Sequence, residues 1–352
     1  MNKGKRVFVG MSGGVDSSVS AALLKDAGYD VTGVFIKVWH PDWLPCEWKE
    51  ERRDAMRVAA HLNIPFLTID LEQEYKKSVA DYMIEEYRKG RTPNPDVMCN
   101  KEIKFGSFLQ KALEMGADYI ATGHYAQISN AILKEGADQN KDQSYFLWTL
   151  TDKQLKHVLF PVGHLTKPEV RKLAEKYKLP TATKKDSQGI CFIGKVDMRE
   201  FLSHYISPIP GNVVNEKGEI IGNHEGALFY TIGQRHGFIV TEKTPHDKPY
   251  YIVDKNTDAN TLTVSQKFSE HDLKTVYSVG LTDVNWNQNF AIDISKKYSA
   301  RIRYRQDPQE CMISNNEIIF SMPQQGVSVG QSVVVYDGDL CFGGGIINTV
   351  KL

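Results

Sequence analysis

The sequence predicts an α/β protein, with an N-terminal doubly wound parallel sheet followed by two small β domains. Three observations carry that expectation. A strand, a glycine turn, a helix and a second strand follow one another in residues 6–38. Strand and helix patterns then alternate to about residue 179, and from about Pro208 helical periodicity gives way to short β-rich runs between turn sequences.

The first unit begins with the β-branched, apolar run Val7, Phe8, Val9 and turns through glycines. A helix with apolar residues at Val19, Ala22, Leu23 and Ala27 follows; Gly28 stops it, and Val31 to Val38 reads as the second strand. Glu50 to Leu62 reads as a helix, Phe66 to Ile69 as a strand and Leu71 to Arg88 as a long amphipathic helix. The turn Thr92-Pro93-Asn94-Pro95-Asp96 leads into a helix from about Cys99 to Met115, with Phe105, Phe108, Leu109, Ala112 and Leu113 on its apolar face. Asp118 to Thr122 is a further strand, ending in Gly123-His124, and ligands in such a sheet gather at the carboxyl ends of the strands. Pro168 to Leu179 is a helix capped by Thr166 with Pro168 in its first turn. These patterns give a catalytic domain in residues 1–205, a small central β domain in 206–272 and a β-barrel-like domain in 273–352. The strongest hairpin signal is Val333 to Phe342, turning at Asp337-Gly338.

At 352 residues the chain is long enough for two or three cored domains. It has no 18-residue apolar run and no signal or import segment, so a soluble cytoplasmic protein without a membrane partner is expected. The five cysteines (46, 99, 191, 311 and 341) include no C-x-x-C pair, which argues against a zinc ribbon. Net charge is zero, with 30 basic against 27 acidic side chains in residues 1–205 and 13 against 16 in residues 206–352. A polyanion must therefore be held by local clusters. One runs from Lys167 through Arg171, Lys172, Lys176 and Lys178 to Lys184 and Lys185. The other spans Lys296 to Arg305, where alternation on a strand would put Arg301, Arg303 and Arg305 on one face.

The turn Gly10-Met11-Ser12-Gly13-Gly14-Val15-Asp16-Ser17-Ser18 opens a helix, so free backbone N–H groups face outward there. A plain βα connection accounts for a glycine pair alone. Three hydroxyls and one Asp, with neither Gly-Lys-Ser/Thr nor G-x-G-x-x-G, suit a departing pyrophosphate with magnesium. The string resembles the SGGxDS loop of the N-type ATP pyrophosphatases, which adenylate a substrate. Farther on, with Asp96 as N-cap, Cys99 would stand at the third helical position, where the dipole favours a thiolate; a buried apolar role fits it equally. Cys191 sits in Asp186-Ser-Gln-Gly-Ile-Cys-Phe192 after Lys184 and Lys185, a setting for either a core residue or an activated thiol.

Taken in order, Gly10 to Ser18, Pro93 to Phe105, Ala121 to Ala126, Lys141 to Leu147 and Asp186 to Phe192 resemble the tRNA-uridine 2-sulfurtransferase family (tRNA-specific 2-thiouridylases, MnmA). The likeness extends to Tyr336-Asp-Gly-Asp and Gly345 and covers nearly the whole chain. It implies ATP-dependent 2-thiolation of the wobble uridine of tRNA. ATP, with magnesium but no dedicated protein metal site, would lie on Gly10, Met11, Ser12, Gly13, Gly14, Val15, Asp16 and Ser17, with Gly123 near and Ile36 meeting adenine. Cys191 would carry a persulfide supplied by a cysteine desulfurase or sulfur-relay protein, and Cys99 would release sulfur by forming a disulfide with Cys191. Asp96 would be the acid/base, with Asn94 and Pro95 lining the uracil pocket. His124, Lys141, Asp142, Gln143, Arg303, Tyr304 and Gln331 match positions that touch tRNA.

The chain departs from the family after its second strand, where Ile36-Lys37-Val38-Trp39 replaces the usual Met-Lys-Asn-Trp. Trp39, Trp43 and Trp48 suit a local lid or a packed loop. The competing expectations are another adenylating ligase of the same superfamily and a non-catalytic nucleotide- or RNA-binding regulator. The ligase would not need two placed cysteines, and an intact Ser12–Ser17 loop with Asp96 and both cysteines speaks against the regulator.

Overall fold

The computed structural model describes residues 4–44, 48–185, 197–241, 248–266, 275–287 and 292–351. The chain builds β1 (Arg6–Gly10), β2 (Asp30–Lys37), β3 (Phe66–Asp70) and β4 (Tyr119–Ala121), then a hairpin of β5 (Ala126–Ser129) and β6 (Ile132–Glu135), then β7 (Val158–Leu159). All but the hairpin form one parallel sheet in the order β3-β2-β1-β4-β7. The chain runs outward from β1 on one side and returns to β4 on the other, which places the topological switch, and the ligand crevice, at the carboxyl ends of β1 and β4.

Both faces of this sheet are covered, as the apolar strands require. Alternate residues of each strand point to opposite sides. Val7, Val9 and Phe35 pack with α1 (Val15–Asp26), α2 (Trp48–His61) and α6 (Lys167–Lys176). Phe8, Val34 and Ile36 pack on the other side with α3 and α4. Helix α3 runs through Glu72–Tyr75, Lys76–Asp81 and Tyr82–Arg88, and α4 through Pro95–Met98, Cys99–Ser107 and Phe108–Glu114; the middle stretch of each is π-helical. A wholly buried side chain such as Phe108 contributes about 1.5–3 kcal/mol relative to an exposed one. The short helix α5 (Asp152–Leu155) precedes β7, and α7 (Met198–Ser203) ends the sheet's half of the chain.

Local signals place the helix ends. Gly28 takes φ +83° just past α1, a conformation that glycine adopts without steric cost. Thr166 and Glu169 form a capping box on α6. The start of α4 differs from expectation: Asn94, not Asp96, is the N-cap, and its Oδ1 accepts from Val97 N–H at 3.2 Å. Pro95 then takes the first helical position, which suits its fixed φ and missing N–H. Cys99 consequently lies beyond the first turn, at the start of the π-helical stretch, and is fully buried.

A second sheet, of β8 (Gly211–Val214), β9 (Ile220–His224), β10 (Ile239–Val240), β11 (Tyr251–Asn256) and β12 (Thr261–Ser265), has the order β10-β9-β8-β12-β11. Its Val213, Ile252, Leu262 and Val264 join the core that contains α3 and α4. The third sheet contains β13 (Val276–Trp286), β14 (Tyr298–Arg301), β15 (Gln309–Ser314), β16 (Glu317–Gln324), β17 (Ser332–Asp337) and β18 (Leu340–Lys351). Its order β13-β16-β15-β14-β17-β18 closes through β13–β18 pairing into a barrel. The β5–β6 hairpin, although it leaves the end of β4, adds to this barrel beside β18.

Candidate active site at the carboxyl ends of the parallel strands

The loop after β1 is shaped by close packing. Gly13 takes φ +74°, and a Cβ there would stand 2.4 Å from the Glu51 carbonyl oxygen. Gly123, beyond β4, lies so near the start of α1 that a Cβ would meet Ser17 N at 2.7 Å and Asp16 C at 2.8 Å. Gly14 is the N-cap of α1, and Ser18 N–H makes a first helical bond to Gly14 O at 3.3 Å. The amides of Val15, Asp16 and Ser17 precede it, an arrangement ready for an anion. Gly10 ends β1, while Met11, Val15 and Ile36 are buried beneath the loop.

The hydroxyls are not all presented as expected. Ser12 is exposed, but Ser17 and Ser18 are buried and donate back to Gly14 O at 3.2 and 2.7 Å, bonds that satisfy hydroxyls the helix packing has enclosed. The Asp16 carboxylate accepts from Lys167 Nζ at 2.7 and 2.9 Å and from the Tyr125 hydroxyl at 2.8 Å. Among the described residues no cluster of three or more His, Cys, Asp or Glu side chains could hold a metal ion.

The basic run behind Lys167 also turns inward. Arg171 donates to the carbonyls of Ala182 and Lys184, and Lys184 pairs with Asp54 at 2.8 Å. Burial alone would raise the Asp54 pKa, but Lys184 and Arg57 bring it below the ordinary value. The expected catalytic Cys191, and the Asp186 to Phe192 motif around it, lie outside the described residues, as does Cys46. The Cys99–Cys191 pairing rests there too. The three tryptophans diverge: Trp43 stacks on His204 with ring centroids 3.8 Å apart, Trp48 packs near Phe35, and Trp39 lies under Lys76. They are packed residues of the loop's flanks.

His124 connects the loop to α4. It is buried, its Nδ1 stands 2.7 Å from Thr122 Oγ1, and its Nε2 stands 3.5 Å from Lys104 Nζ, on the same helix as Cys99. An ammonium only donates, so Nε2 is the acceptor and Nδ1–H donates to Thr122. Burial, and then the Lys104 charge, hold the His124 pKa well below the usual 6.5. Its ring packs with Phe105 and Phe160.

The Lys141 to Phe146 segment is a keystone between sheet and barrel. Asp142 is buried and accepts from the N–H groups of Gly136 and Ser144 at 2.9 and 3.1 Å and from Ser144 Oγ at 2.9 Å. Gln143 Oε1 accepts from Tyr125 N–H at 3.0 Å, and Lys141 is half-buried. Arg301 Nη1 lies 2.7 Å from Glu135 and 3.3 Å from Asp142, over the Tyr336 ring. The expected row of three arginines on one strand face is therefore not formed. Strand β14 ends at Arg301, whose side chain closes a buried ion pair, and Ile302 N–H to Gln306 Oε1 at 2.9 Å closes a turn in which Arg305 has φ +61°. Lys296 and Lys297 are likewise paired, with Asp337 and Glu310.

That turn still presents cations. Arg305 and part of Arg303 are exposed beside Tyr304, whose ring lies 4.5 Å from Phe146; the Arg303 guanidinium donates to the carbonyls of Gly326 and Ile232, and burial lowers its pKa. Asn100, next to Cys99, donates to Phe146 O at 3.0 Å, so the turn, Phe146 and the Asp96–Cys99 region adjoin. Thr92 Oγ1, at the loop before Asn94, meets Thr231 Oγ1 at 3.3 Å, and Gln331 Nε2 lies 2.9 Å from Thr92 O and 3.1 Å from Pro93 O. Sequence reasoning missed Tyr125 and Lys104 and took Lys167 only as one member of a basic cluster. Lys167 had a signal, a cation at the first turn of a helix where the macrodipole disfavours it.

Residues 5–195 match the family described as tRNA methyl transferase HUP domain, 199–266 its PRC-barrel domain and 277–347 the aminomethyltransferase beta-barrel domain. The tRNA-specific 2-thiouridylase MnmA of Streptococcus mutans is 47% identical over 359 residues, covering 99% of this chain and 96% of that protein. The protein of the same name from Halalkalibacterium halodurans is 48% identical, covering 98% and 95%. Among solved structures, the U34-tRNA thiolase NcsA from Methanococcus maripaludis is similar over 58% of this chain and 65% of that one, at 17% identity and a TM-score of 0.37. That structural likeness is distant, whereas the sequence likeness spans every domain. The chain belongs to the tRNA-specific 2-thiouridylase family.

Proposed function

We propose that this chain uses ATP to replace the 2-oxygen of the wobble uridine of tRNA with sulfur. The observation that carries the reading is one continuous path of contacts. It runs from the amide-rich start of α1, through Gly123 and His124, to Lys104 on the helix that bears Asp96 and Cys99. The nucleotide-activating loop is thus linked through His124 to the helix that carries Asp96 and Cys99.

The uracil 2-oxygen attacks the α-phosphorus of ATP, the bond to the β-phosphate breaks, and pyrophosphate leaves toward the α1 amides. Asp96 takes the N3 proton as the 2-oxygen becomes nucleophilic. The terminal sulfur of a Cys191 persulfide, supplied by a sulfur-donor protein, then bonds to C2, and AMP departs with the former 2-oxygen. Cys99 attacks the Cys191 sulfur, the S–S bond to the substrate breaks, and its electrons remain as the thiocarbonyl on the base. A dithiol reductant returns the resulting Cys99–Cys191 disulfide to thiols. Asp16 would offer a carboxylate to a magnesium ion brought with ATP, and that ion would neutralise phosphate charge. Arg303, Arg305 and Tyr304 supply charge and a stacking face for RNA.

Nucleoside mass spectrometry of tRNA from a strain lacking the gene tests the reading. Wobble 2-thiouridine should vanish and return on complementation, but not with Cys191→Ser. Unchanged thiolation in the deletion strain would refute it.

A further inference from the structure

The loop that delivers Asp96 and Cys99 is gripped from the barrel. Thr92 N–H donates to Val329 O at 2.9 Å, and both Thr92 O and Pro93 O accept from Gln331 Nε2. Gly330, at φ +96°, approaches so closely that a Cβ would stand 2.8 Å from Thr92 O. The grip is itself anchored, because Gly330 N–H donates to Ile347 O and Ile347 N–H to Gln331 O, each at 2.8 Å. The next residue, Ser332, holds the other segment: its O accepts from the Tyr145 hydroxyl at 3.0 Å and its Oγ from Trp148 Nε1 at 3.1 Å. One end of β17 therefore fixes the Thr92–Asp96 loop and the Lys141–Trp148 segment relative to each other.

The donor inventory of Gln331 decides what this side chain can do. An amide nitrogen has two hydrogens, and here both meet backbone carbonyls. The remaining Oε1 only accepts, so it offers nothing to a phosphate oxygen, though it can accept from a ribose hydroxyl or a base N–H. We infer that Gln331 is a positioning residue of the thiolation site: it sets the entry of α4, and with it Asp96 and Cys99, from the barrel. The barrel is then part of the catalytic apparatus and not solely a docking surface for RNA. The inference rests on the function proposed above.

Gln331→Met and Gln331→Glu remove the donors while keeping side-chain length. With ATP, a sulfide source and tRNA, each should lower kcat ~10-fold or more, since small misplacements of reacting groups are costly. A raised KM with unchanged kcat would overturn the clamp and make Gln331 a tRNA contact; no change in either would make it a bystander. Alkylation by iodoacetamide, read by mass spectrometry without turnover, separates local from global effects. Cys99, Cys311 and Cys341 are all buried, and the variants should speed labelling of Cys99 alone. Equal acceleration at all three, or none at Cys99, would overturn the proposal. A wild-type protein that makes no 2-thiouridine would refute the function itself, and the Cys99 labelling would still report on the clamp.

Discussion

Lys167 Nζ lies 2.7 and 2.9 Å from the two carboxylate oxygens of Asp16, 151 positions away in sequence. The lysine stands at the first helical position of α6, where the helix dipole opposes a cation, and Asp16 is the second residue of α1, in its first turn, where an anion is favoured. The pair therefore joins two helix starts and fixes a positive charge beside the loop amides.

Lys167→Met should weaken ATP binding about tenfold, roughly 1.4 kcal/mol, because the Asp16 carboxylate would face the triphosphate without its cation. Isothermal titration with ATP checks this. Unaltered affinity would show that the pair serves only to join the helices.

Gly123→Ala tests the close approach at the switch point. Its methyl would push on Ser17 N and Asp16 C, and overpacking of this kind costs about 1–3 kcal/mol. The variant should melt earlier and bind ATP more weakly. Gly218→Ala is the control, since a Cβ there meets nothing within 4 Å and any loss comes from its φ of +81° alone.

Arg301→Met should be among the most destabilising single changes in the barrel. It would leave Glu135 and Asp142 buried without their shared cation, and breaking such an arrangement costs about 3–5 kcal/mol. Chemical denaturation measures it. Arg305→Ala, at an exposed turn, should leave stability nearly unchanged and weaken tRNA binding, most visibly at low salt.

His124 gives a pH dependence of known sign. Burial depresses its folded-state pKa well below 6.5, so the unfolded chain takes up a proton that the folded one refuses. The stability this neutral histidine contributes is present above about pH 6.5 and is lost as pH falls. The melting temperature should drop between pH 7.5 and 5.5 more steeply in the wild type than in His124→Phe. Parallel curves would contradict the assignment of a neutral, enclosed ring.

Much of the sheet domain was legible because its signals are local. Val7, Phe8 and Val9 alternate between two covered faces, Gly28 punctuates α1, and Thr166 with Glu169 caps α6. The start of α4 was misread by two residues because Asn94 and Asp96 are both competent caps, and Pro95 decides between them by occupying the first helical position. The β5–β6 hairpin's place beside β18 and the burial of Arg301 were not legible. Each depends on partners far along the chain, which alternation within one segment does not report. The same holds for Gln331, whose role depends on carbonyls 239 and 238 positions away.

The most direct test of the account is a single-turnover reaction of the purified chain with ATP, a sulfur source and an unmodified tRNA transcript, with nucleotides and nucleosides quantified together. The account predicts one AMP formed for each 2-thiouridine at the wobble position. Asp96→Asn should suppress both products. AMP release without 2-thiouridine, or 2-thiouridine formed without ATP, would contradict it.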